Sequence, residues 1–199
     1  MIDIKEVIQK SGLHPSRVLN VYIFGSQIYG TASEKSDYDI LIIAKTVSPE
    51  TELVIDNLNI HVLTIDRFLE GLRVHNIRNI ECLMSPYILM ETIHIPYEIN
   101  IKGLRHSISH TCSNSYVKCQ KKIQFDEYYI GIKSLYHSLR ISIFGSQIAK
   151  YGRIIDFTAA NYIWLDLISK IWTWNELDIK YKPLRNKLMS QFRLLASDK

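Results

Sequence analysis

Apolar residues in the first half of the chain occur in short runs separated by turn-forming residues. Residues 18–24 and 40–43 are almost entirely apolar, which is typical of strands buried inside a sheet. Strands are predicted over residues 18–24, 40–43, 51–56, 58–64 and, as an edge strand, 87–95. Apolar spacings of three and four predict helices over residues 3–10, 64–72 and 76–83.

From about Tyr97 onward the hydrophobic spacing is that of long helices, and no strand pattern occurs. Helices are predicted over residues 99–122, 126–151, 156–171 and 175–195. Together the two halves predict an α/β (α+β) fold. A small mixed sheet with flanking helices, over residues 1–96, precedes a C-terminal helical bundle over residues 97–199.

The segment between the first two strands, F-G-S-Q-I-Y-G-T-A-S-E-K-S-D-Y-D-I over residues 24–40, carries the candidate chemistry. Side chains alternate along a strand, so Asp37 and Asp39 are expected on one face. Two carboxylates that close repel each other unless a cation lies between them, which favours a hard divalent metal. Gly25-Ser26 at a strand end offers backbone N–H groups to phosphate. A simpler alternative, a Gly-Ser turn followed by an Asp-x-Asp cap, does not require Asp39 to lie inside a strand.

Composition narrows the class of protein further. No run of about 18 apolar residues occurs, so no transmembrane helix is predicted. The first six residues lack the basic-then-apolar form of a signal peptide. Three cysteines, with no C-x-x-C, are typical of reduced thiols. The expectation is a cytoplasmic protein with no membrane partner.

The net charge of +4 is distributed unevenly along the chain. Residues 1–98 hold 8 Lys/Arg and 13 Asp/Glu, whereas residues 99–199 hold 16 and 7. An acidic half with a metal site would therefore adjoin a basic half suited to polyphosphate or nucleic acid. Alternatively, these lysines and arginines form solvated helix faces.

The pattern resembles the polymerase-beta-like nucleotidyltransferase superfamily, whose signature is Gly-Ser followed at a distance by Asp-x-Asp. It is similar to the branch of phage and bacterial predicted nucleotidyltransferases that includes RNA-ligase-associated members. The resemblance covers about residues 20 to 160. The matching positions are Gly25-Ser26, Tyr29-Gly30, Ser36-Asp37-Tyr38-Asp39, Arg67-Phe68-Leu69, Asn76, Glu81, Ser85-Pro86, Lys133, His137, Arg140 and Tyr151-Gly152.

The resemblance implies a Mg²⁺- or Mn²⁺-dependent enzyme that moves a nucleoside monophosphate from an NTP to a hydroxyl acceptor. Asp37 and Asp39 would be catalytic and bind the metal. Nucleotide contacts would come from Gly25, Ser26, Ser36, Lys133, His137 and Arg140. Independently, the last three are spaced i, i+4, i+7, so they share a helix face that could clamp a triphosphate or simply face solvent.

Departures from the family pattern keep other functions open. Members commonly carry a third carboxylate on a neighbouring strand, where this chain has Asn59 and His61. Glu52 and Glu81 are further candidates for that role. Gln27 stands where the family often has Arg. The chain could therefore be a weakened nucleotide- or RNA-binding relative, or a small toxin- or antitoxin-type enzyme that modifies protein or tRNA.

A hexapeptide, Ile-Phe-Gly-Ser-Gln-Ile, occurs at residues 23–28 and again at 143–148. The second copy lies in a predicted helix and is followed within 13 residues by a single acid, Asp156. We interpret it as coincidence and predict no second site there.

Overall fold

The computed structural model describes residues 2–46 and 51–197. It forms two compact units, Met1–Glu98 and Ile99–Lys199. The strands of the first unit are β1 (Val18–Phe24), β2 (Tyr38–Ala44), β3 (Thr51–Ile55), β4 (Leu58–Thr64) and β5 (Ile88–Glu91). Its helices are α1 (Ile4–Lys10), α2 (Ser26–Tyr29), α3 (Ile65–Arg73) and α4 (Ile77–Leu83), with a single 3₁₀ turn at Pro15–Arg17.

The five strands form one mixed sheet in the order β3-β4-β2-β1-β5. Strands β2 and β4 are parallel, and the other neighbours are antiparallel. The edge position predicted for residues 87–95 is confirmed by β5, although the strand is shorter. Because β2 begins at Tyr38, Asp39 lies inside a strand, which argues against the simpler turn-cap interpretation.

The two faces of the sheet have different coverings. On one face, Val7 and Ile8 of α1 pack against Val21, Ile42 and Ile60. Because side chains alternate, Asp39 and Asn59 lie on the opposite face. There Tyr22 stacks on Phe68 of α3, with ring centroids 6.0 Å apart. This second face carries the candidate site.

The second unit consists of α5 (Ile101–Gln124), α6 (Tyr128–Tyr151), α7 (Asn161–Leu167) and α8 (Trp174–Leu195). Side chains including Leu135, Leu139 and Leu177 form its core, with Trp172 buried among them. Helix α8 begins at a capping box, in which Thr173 and Glu176 satisfy each other's backbone N–H groups. None of the helices within the described ranges is long and apolar enough to cross a membrane.

The helix predicted over residues 156–171 is wrong at both ends, since α7 covers Asn161–Leu167. Side chains compete with helix formation there. Gln147 accepts hydrogen bonds from the backbone N–H groups of Ile155 and Asp156, both at 2.8 Å. The Asp156 carboxylate in turn accepts hydrogen bonds from the backbone N–H and the hydroxyl of Thr158. Gln147 belongs to the second copy of the hexapeptide, which lies inside α6.

Candidate functional site

Gly25 forms the turn between β1 and α2, and its backbone requires a glycine. Its φ of +76° belongs to the region that side chains with a Cβ disfavour. A Cβ at this position would lie 2.9 Å from Cγ of Asp39. The Asp39 carboxylate therefore packs directly against the Gly-Ser turn, and the two halves of the sequence signature meet in space.

Asp39 lies near the start of β2, between Phe24 on β1 and Asn59 on β4. The Asn59 amide donates a hydrogen bond from Nδ2 to Oδ1 of Asp39 at 3.1 Å. The other amide atom, Oδ1 of Asn59, is buried and has no hydrogen-bond partner within the described part of the chain. A buried, unsatisfied oxygen beside a carboxylate is a position that a cation would satisfy.

Asp37 is exposed and comes just before β2, at the end of a tight turn. Ser36 closes that turn through two hydrogen bonds to Ser33. The Ser36 hydroxyl accepts a hydrogen bond from the Ser33 backbone N–H at 2.9 Å, and the Ser36 backbone N–H donates one to the Ser33 carbonyl at 2.9 Å. The structure thus gives Ser36 a turn-forming role, and its nucleotide contact stays a prediction. Asp37 lies outside the strand, so strand alternation does not fix its direction.

These oxygens fit a hard divalent cation. Asp37 and Asp39 supply carboxylates, and Asn59 supplies the neutral oxygen, all of the type that Mg²⁺ and Mn²⁺ prefer. Across residues 2–46 and 51–197, no group of three or more His, Cys, Asp or Glu side chains gathers into a metal site. The groups that could hold a cation here are therefore two carboxylates and an amide.

The four candidates for the missing third carboxylate differ in position. Asn59 donates a hydrogen bond to Asp39. His61 lies on the same face, with Nε2 3.7 Å from the exposed Glu52. Burial lowers the pKa of His61 below its usual value, so its ring is neutral near pH 7.

Glu81 is buried and contacts the segment that follows the Gly-Ser turn. It is 2 % exposed, and its carboxylate accepts a hydrogen bond from the Tyr29 hydroxyl at 2.5 Å. Tyr29 is the last residue of α2, the short helix that begins at Ser26. Glu81 therefore ties the Gly-Ser segment to α4. Sequence reasoning missed this contact because the partners lie 52 residues apart.

We expect Tyr29→Phe to lower the free energy of unfolding by about 1–3 kcal/mol, because it removes a hydrogen bond to a buried carboxylate. Urea unfolding followed by circular dichroism measures the change. Tyr87→Phe is the matched control, since Tyr87 is 56 % exposed. Equal stability of the two variants would contradict a structural role for the Tyr29–Glu81 contact.

The predicted basic row on α6 does not form a uniform solvated face. Lys133 is exposed, with its ammonium 4.6 Å from the centre of the Tyr129 ring. Arg140 is only 5 % exposed, and its guanidinium lies 5.4 Å from the ring centre of Tyr136. Its Nη2 is 3.0 Å from Nδ1 of His137.

His137 is not a cation in this arrangement, which corrects the expectation of three basic groups. Burial, together with the charges of Arg140 and Lys118, lowers the pKa of His137 to about 3. A neutral ring can accept the hydrogen bond that Arg140 donates.

This pKa gives a prediction about pH. His137 ordinarily titrates near 6.5 and in the folded chain near 3, so between these values the unfolded chain binds the extra proton. Stability should therefore fall as pH drops from about 7 towards 4. We expect His137→Asn to show a smaller loss between pH 7.5 and 5 than the wild type in urea titrations. The exposed His110→Asn should keep the wild-type loss, and an unchanged loss in His137→Asn would contradict the buried neutral ring.

Comparison with known proteins shows the family of the chain. Residues 3–123 match the family model described as "Polymerase beta, Nucleotidyltransferase". The chain belongs to this nucleotidyltransferase family. A search of curated proteins gave no match.

A solved adenyltransferase structure shows the same fold, and two other solved structures are less similar. Spectinomycin adenyltransferase AAD(9) from Enterococcus faecialis, solved with ATP and spectinomycin, has a TM-score of 0.50 and 12% identity, covering 96% of this chain and 100% of that one. A nucleotidyltransferase-like protein from Exiguobacterium sibiricum 255-15 has a TM-score of 0.34 and 11% identity, with coverages of 96% and 72%. An aminoglycoside 6-adenyltransferase from Bacillus subtilis has a TM-score of 0.35 and 11% identity, with coverages of 98% and 91%.

Proposed function

We propose that this chain is a divalent-metal-dependent nucleotidyltransferase that moves a nucleoside monophosphate from an NTP to a hydroxyl acceptor. The observation that carries the proposal is the contact between Gly25 and the Asp39 carboxylate. It brings a phosphate-binding turn and a metal-binding carboxylate into one place, which are the two parts that phosphoryl chemistry needs.

In this proposal the residues of the first unit have separate roles. The Gly25-Ser26 turn binds the β- and γ-phosphates through its backbone. Asp37 and Asp39, with Oδ1 of Asn59, hold Mg²⁺ or Mn²⁺. When bound, the metal neutralises phosphate oxygens and acts as a Lewis acid. The Tyr29–Glu81 hydrogen bond keeps the turn in position.

The acceptor hydroxyl must lose a proton during transfer, and within the described residues no carboxylate occupies the strand position beside Asp39. Asn59 occupies the strand position beside Asp39, and an amide cannot take up a proton. We therefore expect nucleotide binding to be well preserved and turnover to be slow. The presence of Asn59 in place of a carboxylate also favours the second candidate function, a catalytically weakened member that binds nucleotide or RNA.

The class of nucleotide and the class of acceptor are proposed from separate observations. ATP is the first nucleotide to test, since AAD(9) was solved with it. The excess of Lys and Arg in residues 99–199 favours a polyanionic acceptor such as RNA. Protein is the other acceptor class to test. Lys133, His137 and Arg140 remain predicted nucleotide contacts, with Arg140 the donor and His137 a neutral neighbour.

Calorimetric titration tests the binding half of the proposal. ATP, GTP, CTP and UTP are titrated separately in Mg²⁺, in Mn²⁺ and in EDTA. We expect at least one NTP to bind with metal and to lose most of its affinity in EDTA. Binding that is equal in EDTA would contradict the metal role, and no binding of any NTP would contradict the proposal as a whole.

A further inference from the structure

We propose that Arg78 of α4 binds an anionic oxygen of the nucleotide's phosphate chain beside Asp39. The inference rests on the proposed nucleotidyl-transfer function and adds a residue that the sequence signature does not include. Three features support it: α4 lies on the sheet face that carries Asp39, Arg78 is close to that carboxylate, and Nε of Arg78 is buried without a hydrogen bond within the described residues.

Helix α4 crosses the sheet on the face that carries Asp39. Just beyond its C-terminal end, the Ser85 hydroxyl donates to the Ile23 carbonyl of β1 at 3.2 Å. Near the middle of the helix, Asn79 donates to the Phe68 carbonyl of α3 at 3.0 Å. Arg78 lies one residue after the start of α4, at the end away from Ser85.

The surroundings of Arg78 place it on the side of the sheet that carries Asp39. Cys82 lies four residues after Arg78 on α4, so the two share a helix face, and Cys82 is fully buried. Burial raises the pKa of Cys82, and among the nearby charges Glu81 raises it, Arg78 lowers it and Asp39 raises it. The Arg78 guanidinium and the Asp39 carboxylate are therefore both close enough to act on Cys82.

The Arg78 side chain is incompletely hydrogen-bonded within residues 2–46 and 51–197. It is half-buried, and its Nε is buried without a hydrogen bond within the described residues. A partly desolvated guanidinium with unused donors is costly unless an anion binds it. The planar fork of an arginine matches a pair of phosphate oxygens.

Three other basic side chains of the first unit are paired or lie away from Gly25. Lys10 pairs with Glu6 and Asp56, and Arg67 pairs with Glu70. Arg17 precedes β1, at the end opposite Gly25. Gln27, next to the Gly-Ser turn, carries no charge. Arg78 thus supplies a fixed positive charge that the turn itself does not provide.

The test uses the full chain and inorganic tripolyphosphate with Mg²⁺, a probe that does not depend on the base. Calorimetry compares the wild type with Arg78→Gln, Arg78→Lys and the exposed control Arg17→Gln. We expect Arg78→Gln to weaken tripolyphosphate and NTP binding roughly tenfold or more. Arg78→Lys should recover part of the affinity, and Arg17→Gln should match the wild type.

Thermal unfolding separates phosphate binding from a structural role. Because Nε is unsatisfied without ligand, Arg78→Gln should leave the Tm of the ligand-free protein unchanged or higher, while the Tm rise caused by tripolyphosphate shrinks. A lower ligand-free Tm with a proportionate loss of affinity would assign Arg78 to the fold and overturn the inference.

Two further outcomes separate the Arg78 contact from the proposed nucleotidyl-transfer function. If the wild type binds NTP and Arg78→Gln binds it equally well, the Arg78 contact is wrong and the proposed function stands. If the wild type binds neither NTP nor tripolyphosphate, the proposed function fails and this inference fails with it.

Discussion

Replacing Asp37 and Asp39 together by Asn should reduce metal-dependent NTP binding by about 100-fold or more, because both anionic metal ligands are lost. The fold should persist or become slightly more stable, since two neighbouring negative charges disappear. Asn at position 39 can still accept the hydrogen bond that Asn59 donates to Asp39. Calorimetry with NTP and Mg²⁺ measures the first effect, and urea unfolding measures the second.

The control for this variant is Glu34→Gln with Asp66→Asn, which changes the net charge by the same amount at two exposed positions. Its binding should equal that of the wild type. Metal-dependent binding that survives in the Asp37/Asp39 variant would place the metal elsewhere. A similar loss in the control would show that overall charge, not the site, determines affinity.

Asn59→Asp should raise the rate of nucleotidyl transfer by roughly tenfold or more, because it adds a proton-accepting carboxylate beside Asp39. Position 59 pairs directly with position 39 across the parallel strands β2 and β4. The new carboxylate should also lower the stability of the metal-free protein by like-charge repulsion, with Mg²⁺ restoring it. This stability change can be measured even if turnover is slow.

Asn57→Asp is the control, since Asn57 is an exposed turn residue next to the same strand. It should change neither rate nor the effect of Mg²⁺ on stability. A fast wild type that Asn59→Asp slows would mean that another residue accepts the proton. Glu52 and His61 would then be tested first, because Glu81 is bound to Tyr29.

Local sequence patterns predicted the strands that hold the site, although β2 begins at Tyr38 and not at the predicted residue 40. The apolar run over residues 18–24 predicts β1 with its observed bounds. Alternation along β4 puts Asn59 and His61 on one face, and the pairing of Asn59 with Asp39 makes it the face of the candidate site. These features depend on neighbours in the chain and on the period of a strand.

Features that depend on distant neighbours could not be predicted in the same way. The hexapeptide shows this most clearly, because the same six residues form a strand end and turn at 23–28 but lie inside α6 at 143–148. The burial of Arg140 against Tyr136 and the neutral state of His137 likewise depend on packing. Spacing alone indicates which residues share a helix face, and not whether that face is solvated.

The most direct test of the central claim follows the phosphorus atoms of the NTP. The protein is incubated with Mg²⁺ and with NTP labelled at the α- or the γ-phosphate, in separate reactions with RNA, protein and small hydroxyl compounds. The account predicts that the α-label enters one acceptor pool, that the γ-label leaves as pyrophosphate, and that Asp39→Asn abolishes both. Release of the γ-label as inorganic phosphate without incorporation of the α-label, or transfer that Asp39→Asn leaves unchanged, would contradict it.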